Sequence, residues 1–217
     1  MKSLTPVIAL TIAMMLSVPA AAQAVYNNGP INGNNDAWTI NLTFAVSDTF
    51  TVSNGGSNIT GLSFGAWLYP GDTLTSAEVS VTSLENGGTT YFDQMVNFTA
   101  SSCANNEFGF VICDETASFN AGNFSSGTYW LTIQNAQIPG GDPVYWDQNS
   151  GVGCTSPGCP SSASDNYQGT IESESFTILG SASSSSSSTS SVPEPSSLML
   201  FASGALGLGA LVRRKLL

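Results

Sequence analysis

Apolar and polar residues alternate along most of the chain between residues 37 and 179. Ala37 to Val46, AWTINLTFAV, does so without a break. Trp38, Ile40, Leu42, Phe44 and Val46 fall on one side, and Thr39, Asn41, Thr43 and Ala45 on the other. Successive side chains of a strand point to opposite faces, so this run predicts a strand with one buried face. Further runs follow at Asp48–Ser53, Gly61–Tyr69, Ser76–Ser83, Thr90–Thr99, Glu107–Ile112, Thr116–Phe124, Thr128–Ala136, Val144–Trp146 and Thr170–Leu179. Most are rich in β-branched and aromatic residues, which fit a pleated surface. Turn chemistry separates them at Asn54-Gly55-Gly56, Pro70-Gly71-Asp72, Asn86-Gly87-Gly88 and Pro139-Gly140-Gly141. No window of this region has a helical period. About ten short strands predict an all-β fold, an antiparallel β-sandwich of the jelly-roll or Ig-like kind.

The two ends break the pattern. Met1 to Ala24 places Lys2 before an apolar run and closes on Ala22-Gln23-Ala24. That arrangement predicts a signal peptide over 1–24, removed by signal peptidase to leave Val25 first. The sandwich is expected over 25–180. Ser181 to Ser191, SASSSSSSTSS, holds too little apolar surface to offset its ordering entropy and reads as a linker. Residues 192–217 follow. Ser196 to Val212 carries no charge, a single hydrophobic helix at the lower length limit for a membrane, and Arg213-Arg214-Lys215 stops it on the cytoplasmic side.

The tail VPEPSSLMLFASGALGLGALVRRKLL resembles the PEP-CTERM sorting signal of exported bacterial proteins. It has the triplet Pro193-Glu194-Pro195, a Gly/Ala/Leu-rich helix and the basic cluster Arg213, Arg214 and Lys215, in that order. The resemblance implies transient anchoring in the inner membrane, processing by an exosortase, and residence in the outer envelope or extracellular matrix. Segments such as Gly127–Ala136, Pro143–Asp147 and Phe64–Leu68 also resemble a β-rich extracellular domain common in such proteins. That likeness implies fold and location, and no activity.

Charge narrows the function further. The chain has 15 Asp and Glu, 4 Lys and Arg and no His. Lys2, Arg213, Arg214 and Lys215 are all its cations, so Val25 to Val212 has none. Without cations to displace counter-ions from phosphate, the domain is not a nucleic-acid binder. Histidine-dependent triads, Lys Schiff bases and P-loops are excluded on the same grounds. Val25 to Ser191 holds fourteen carboxylates and no Lys, Arg or His, so no side-chain salt bridge can form within it. Like-charge repulsion among the carboxylates predicts stability that falls as pH rises through about 4 to 6, and that recovers with added salt.

Candidate chemistry is sparse. Cys103 with Cys113 and Cys154 with Cys159 read as two local disulfides, since their spacings do not suit a zinc ribbon. Three carboxylate pairs, Asp142/Asp147, Asp114/Glu115 and Glu172/Glu174, are open to a glycosidase reading. Glu172/Glu174 reads better as a solvated face, and nothing marks one acid as protonated, so no catalytic residue is assigned. Calcium is the sharper alternative, with Asp142, Asp147 and Asn149 offering oxygens from a Gly-rich loop over 139–151. Trp130, Trp146 and Tyr145 are candidates for stacking on a glycan, while Trp38 and Trp67 are expected in the core. The sequence therefore points to a secreted, non-enzymatic protein of the envelope or matrix, structural or polysaccharide-associated. A lectin-like module would show an exposed Trp/Tyr strip beside polar residues. An adhesive or ice-facing protein would show a flat threonine array. A glycoside hydrolase fits least.

Overall fold

All the strand pairings are antiparallel, and they close two sheets face to face. A computed structural model describes residues 22–85 and 87–182. The Ser-rich linker beyond Ala182, the sorting tail with its hydrophobic segment 196–212, and the signal peptide up to residue 21 lie outside the described residues. In chain order the strands are β1 (Gln23–Asn27), β2 (Asp36–Thr39), β3 (Ala45–Val52), β4 (Ser57–Leu68), β5 (Ser76–Leu84), β6 (Gly87–Asn97) and β7 (Thr99–Asn105). There follow β8 (Val111–Phe124), β9 (Gly127–Gln137), β10 (Tyr145–Gln148), β11 (Ala163–Asp165), β12 (Gly169–Ile171) and β13 (Phe176–Ala182).

Strand β4 organises the seven-stranded sheet. One edge carries β8, and β7 lies beyond it; the other edge is shared by β13 and β10, which in turn hold β1 and β2. The second sheet has six strands in the order β12-β11-β3-β9-β5-β6. Inward side chains of both sheets form one core, in which Trp146, Tyr26, Phe50, Phe64 and Phe176 are the largest fully buried members. Burying each such ring is worth about 2–3 kcal/mol. Trp146 meets Phe64 and Phe176 edge-on at 5.9 and 5.6 Å, and its indole N–H donates to the Ser175 carbonyl at 2.8 Å.

The sandwich predicted from alternation is thus the fold observed, but three expected strands divide differently. Ala37–Val46 is not one strand. It contains the end of β2, a turn and the start of β3, which belong to different sheets. Leu42 and Thr43 take positive φ of 53° and 79°, unusual for such residues, and Phe44 N–H closes the turn on the Asn41 carbonyl at 2.9 Å. Ile40 and Val46 do enter the core, while Leu42 and Phe44 are exposed. Glu107–Ile112 is mostly the tip between β7 and β8 rather than a strand. Thr170–Leu179 breaks at residues 172–175, and that interruption carries the buried Ser173, Glu174 and Ser175. At the ends, β1 already pairs Gln23 with Gly180 and Ala24 with Leu179, and β13 runs on to Ala182.

Candidate functional site

The outer face of the seven-stranded sheet is built on β10. Trp146 points into the core, so its neighbours Tyr145 and Asp147 point out. Tyr145 lies opposite Trp67 on β4, and Trp67 opposite Ile112 on β8. Asp147 is fully buried even so, because residues 31–33 cross this face above it. Its Oδ2 accepts from Asn32 N–H at 3.0 Å, and its Oδ1 from Gly33 N–H at 2.9 Å and the Trp67 indole N–H at 2.7 Å. The approach depends on Gly65. A Cβ there would sit 2.8 Å from Asp147 Cβ, from Ile31 Cγ2 and from Ser175 Oγ.

Trp67 is only 5% exposed, yet it stands outside the core between the sheets. What covers it is the tip between β7 and β8. Asn106 shapes that tip: its Oδ1 accepts from Phe108 N–H at 3.0 Å and Phe110 N–H at 2.9 Å, and its Nδ2 donates to the Gly33 carbonyl at 3.1 Å. Phe108 is thereby laid parallel to Trp67, centroids 5.9 Å apart and planes 14° apart, and Phe110 beside it at 5.6 Å. Phe110 also meets Tyr69 at 5.1 Å and Tyr145 at 5.6 Å. Burial, and then neighbouring Tyr69, push the Tyr145 hydroxyl up to about 12, so it stays a neutral donor. Phe108 is 54% and Tyr69 40% exposed, so the strip meets solvent.

A pocket of about 300 Å³ opens next to it, over Ile112 and between residues 31–34 and strand β7. Asn32, Asn34, Ser102, Asn105 and Asn106 give it a neutral hydrogen-bonding wall, with Asp114 at its margin. Asp114 is already engaged by the hydroxyls of Ser63 at 2.7 Å and Ser101 at 2.9 Å. The Cys103–Cys113 disulfide, Cα atoms 4.2 Å apart, ties β7 to β8 at its wall. Amides with both donors and acceptors, beside apolar rings, suit a ligand that presents hydroxyls on one edge and C–H groups on its face.

The other expected residues are scattered. Cys154 and Cys159 are joined, and with Cys103–Cys113 they leave no free thiol among the described residues. Trp146 is core, which corrects its assignment to glycan stacking. Trp130 lies on the opposite face of the molecule, half-buried between Thr49 and Thr82 of the six-stranded sheet. Trp67 is a member of the outer strip rather than of the core. The calcium candidates share no ligand cradle. Asp147 is on a strand, with its oxygens taken by three N–H donors. Asn149 donates to the Asn28 carbonyl at 2.6 Å and accepts from Gly151 N–H at 2.8 Å. Asp142 is exposed near Gly140. Phe108 and Phe110 alternate within the expected Glu107–Ile112 strand, which gives no sign that they sit on a turn and stack on Trp67.

Glu172 and Glu174, expected together on a solvated face, are split between surface and interior, and so are the paired Asp114 and Glu115. Glu172 is exposed while Glu174 is fully buried, and Glu115 faces inward while Asp114 faces out. Asp48 Oδ2 accepts from Glu174 N–H at 2.8 Å and the Asn28 amide at 3.4 Å, but Asp48 Oδ1 and both Glu174 oxygens accept nothing from the protein. Burial is the main cause that pushes Asp48 up to about 7; it does the same for Glu115, helped by Asp114. Glu174 is driven well above the carboxylate range by burial, and then by Asp48, Asp147 and Asp36. None of these interior oxygens reaches solvent, so the acids cannot touch a substrate from where they stand.

Residues 191–215 match the PEP-CTERM protein-sorting motif. The chain carries a PEP-CTERM sorting tail. The PEP-CTERM tail contains Pro193-Glu194-Pro195 and Arg213-Arg214-Lys215, which lie outside the described residues. It marks an exported protein handled by an exosortase and destined for the cell surface or beyond. Neither among curated proteins nor among solved structures was a significant match to this PEP-CTERM chain found.

Proposed function

We propose that this PEP-CTERM protein is a non-enzymatic component of the envelope or extracellular matrix. It holds neutral polysaccharide on the outer face of its seven-stranded sheet. The observation that carries the reading is the strip of solvent-exposed Phe108 and Tyr69 with half-buried Tyr145, over Trp67 and directly beside the asparagine-lined pocket. Flat apolar rings take the C–H face of a sugar, and neutral amides take its hydroxyls. A domain without a cation offers nothing to a uronate or sulfate and repels it with its own carboxylates. The inaccessibility of Asp48 and Glu174 favours a binding rather than a hydrolytic role. With Asp147 and Asn149 already hydrogen-bonded, the site works without calcium.

The full chain is expected to be retained on gels of neutral polysaccharide, equally in calcium and in EDTA, and to run through pectate and sulfated-agarose gels. Retention on the anionic gels alone would reject the proposal. Processing supplies a separate expectation. In its host the chain should lose Met1–Ala24 through signal peptidase and the tail beyond Pro193-Glu194-Pro195 through an exosortase. Intact-mass measurement of the surface fraction reads both cuts, and a mature surface species still bearing Arg213-Arg214-Lys215 would contradict exosortase handling.

A further inference from the structure

The opposite face of the sandwich is as polar as the first is aromatic. Outward residues of the six-stranded sheet align in register: Ser164, Ser47, Thr132 and Ser80 form one row across β11, β3, β9 and β5. Thr49, Trp130 and Thr82 form the next row on one side, and Ala45, Gln134 and Glu78 the next on the other. This face is not flat. Ser47 and Ser164 are each only 6% exposed although they point away from the core, because the sheet and its flanking turns form a groove of about 280 Å³ around them. Ser80, Thr82, Thr132, Gln134 and Asn166 line it.

Aromatic side chains bracket the groove. At one end, Phe44 and Tyr167 adjoin the lining residues Ala45 and Asn166, and their rings pack 4.8 Å apart. Tyr167 is 63% exposed, and its hydroxyl meets Thr43 Oγ1 at 3.0 Å. Phe44 is 37% exposed as well, so both rings leave apolar surface in water. At the other end stands Trp130, on the same face of β9 as Thr132 and Gln134. Among the described residues the charged groups at the margin are carboxylates: Glu78, which accepts from Gln134 and Asn135, together with Glu85 and Asp93.

We propose that this groove is a second glycan site, for an extended neutral sugar chain, so that one molecule bridges two polysaccharide strands across the thickness of the sandwich. Hydroxyl and amide groups of the floor exchange hydrogen bonds with sugar hydroxyls, and the Tyr167/Phe44 pair and Trp130 grip the C–H faces of sugars at either end. The marginal carboxylates Glu78 and Asp93 repel acidic sugars and so select against them.

The test is calorimetric titration of the full chain with neutral linear hexasaccharides (glucan, galactan, mannan and xylan fragments), with hexagalacturonate as the anionic control. For a neutral fragment that binds, two sites per chain are expected. Tyr167→Ala, which removes an exposed ring, should weaken one of them about tenfold, and Ser80→Tyr, which fills the groove, should abolish it. Tyr69→Ala/Phe108→Ala should leave that site untouched, so loss of the first face and loss of the second are read separately. Melting temperatures check that each variant folds. A single site per chain, indifferent to Tyr167→Ala and Ser80→Tyr, would overturn the second site alone. Binding of hexagalacturonate in the groove, or no binding of any neutral fragment in the Tyr69→Ala/Phe108→Ala chain, would overturn it as well.

Discussion

Asp147→Ala is expected to destabilise the fold by about 4 kcal/mol and to dissolve the aromatic strip with it. The carboxylate sits buried and takes three N–H donors, from Asn32, Gly33 and the Trp67 indole. Each donor left unpaired in a buried setting costs about 1–3 kcal/mol, and partial rehydration keeps the sum below the simple total. The effect is larger than deleting a surface acid because Asp147 joins elements far apart in sequence. It fastens residues 31–33 over β4, and their neighbour Asn106 holds Phe108 and Phe110 on Trp67. Asp147→Asn keeps the shape and one acceptor oxygen, and should cost roughly half as much. Urea unfolding monitored by Trp fluorescence measures both. A loss under about 1 kcal/mol for Asp147→Ala would show that the overlying segment holds itself without the carboxylate.

The second large effect is in pH. Burial pushes Asp48 up to about 7, above its value in the unfolded chain. The folded form therefore binds more protons than the unfolded form between about pH 4 and 7. Stability from this group is complete below pH ~4 and is lost as pH rises through about 7. At about 1.4 kcal/mol per pH unit, Asp48 alone corresponds to about 4 kcal/mol across that window. Glu115 and Glu174 are raised in the same direction and add to it. The unfolding free energy is expected to be several kcal/mol greater near pH 4.5 than at pH 8. Asp48→Asn, which keeps the amide contacts but not the charge, should gain stability at pH 8 and flatten the curve. Added NaCl should recover little of the loss, since solvent ions screen buried charges weakly. A stability that is level or rising from pH 4.5 to 8 would contradict this account.

The sequence signalled acid stress but located its cause differently. Counting fourteen acids and no cation predicted repulsion spread over a surface, whereas the structure concentrates the strain in desolvated Asp48, Glu115 and Glu174. Nothing in a period-two pattern separates Glu172 from Glu174, because the interruption of the expected Thr170–Leu179 strand, not the alternation, decides which one is buried. The same limit explains Ala37–Val46. Its alternation is real for Trp38, Ile40 and Val46, but alternation is blind to a chain that changes sheets through a turn. The sandwich class, the local disulfides and the sorting tail were legible because each rests on residues close together in sequence. The aromatic strip was legible only in part. Tyr145 could be flagged from its place beside Trp146, but Phe108 and Phe110 reach Trp67 only through the long-range pairing of β4, β8 and β10.

The account stands or falls on whether sugar binds over Trp67. Calorimetric titration of the full chain and its Tyr69→Ala/Phe108→Ala variant, with the neutral fragment best retained on the polysaccharide gels, measures this directly. Stripping the two exposed rings should lower the affinity of the seven-stranded face at least tenfold while the melting temperature shifts by only a few degrees. Full affinity and full stoichiometry in that variant would show that the strip binds no sugar, and would contradict the proposed function.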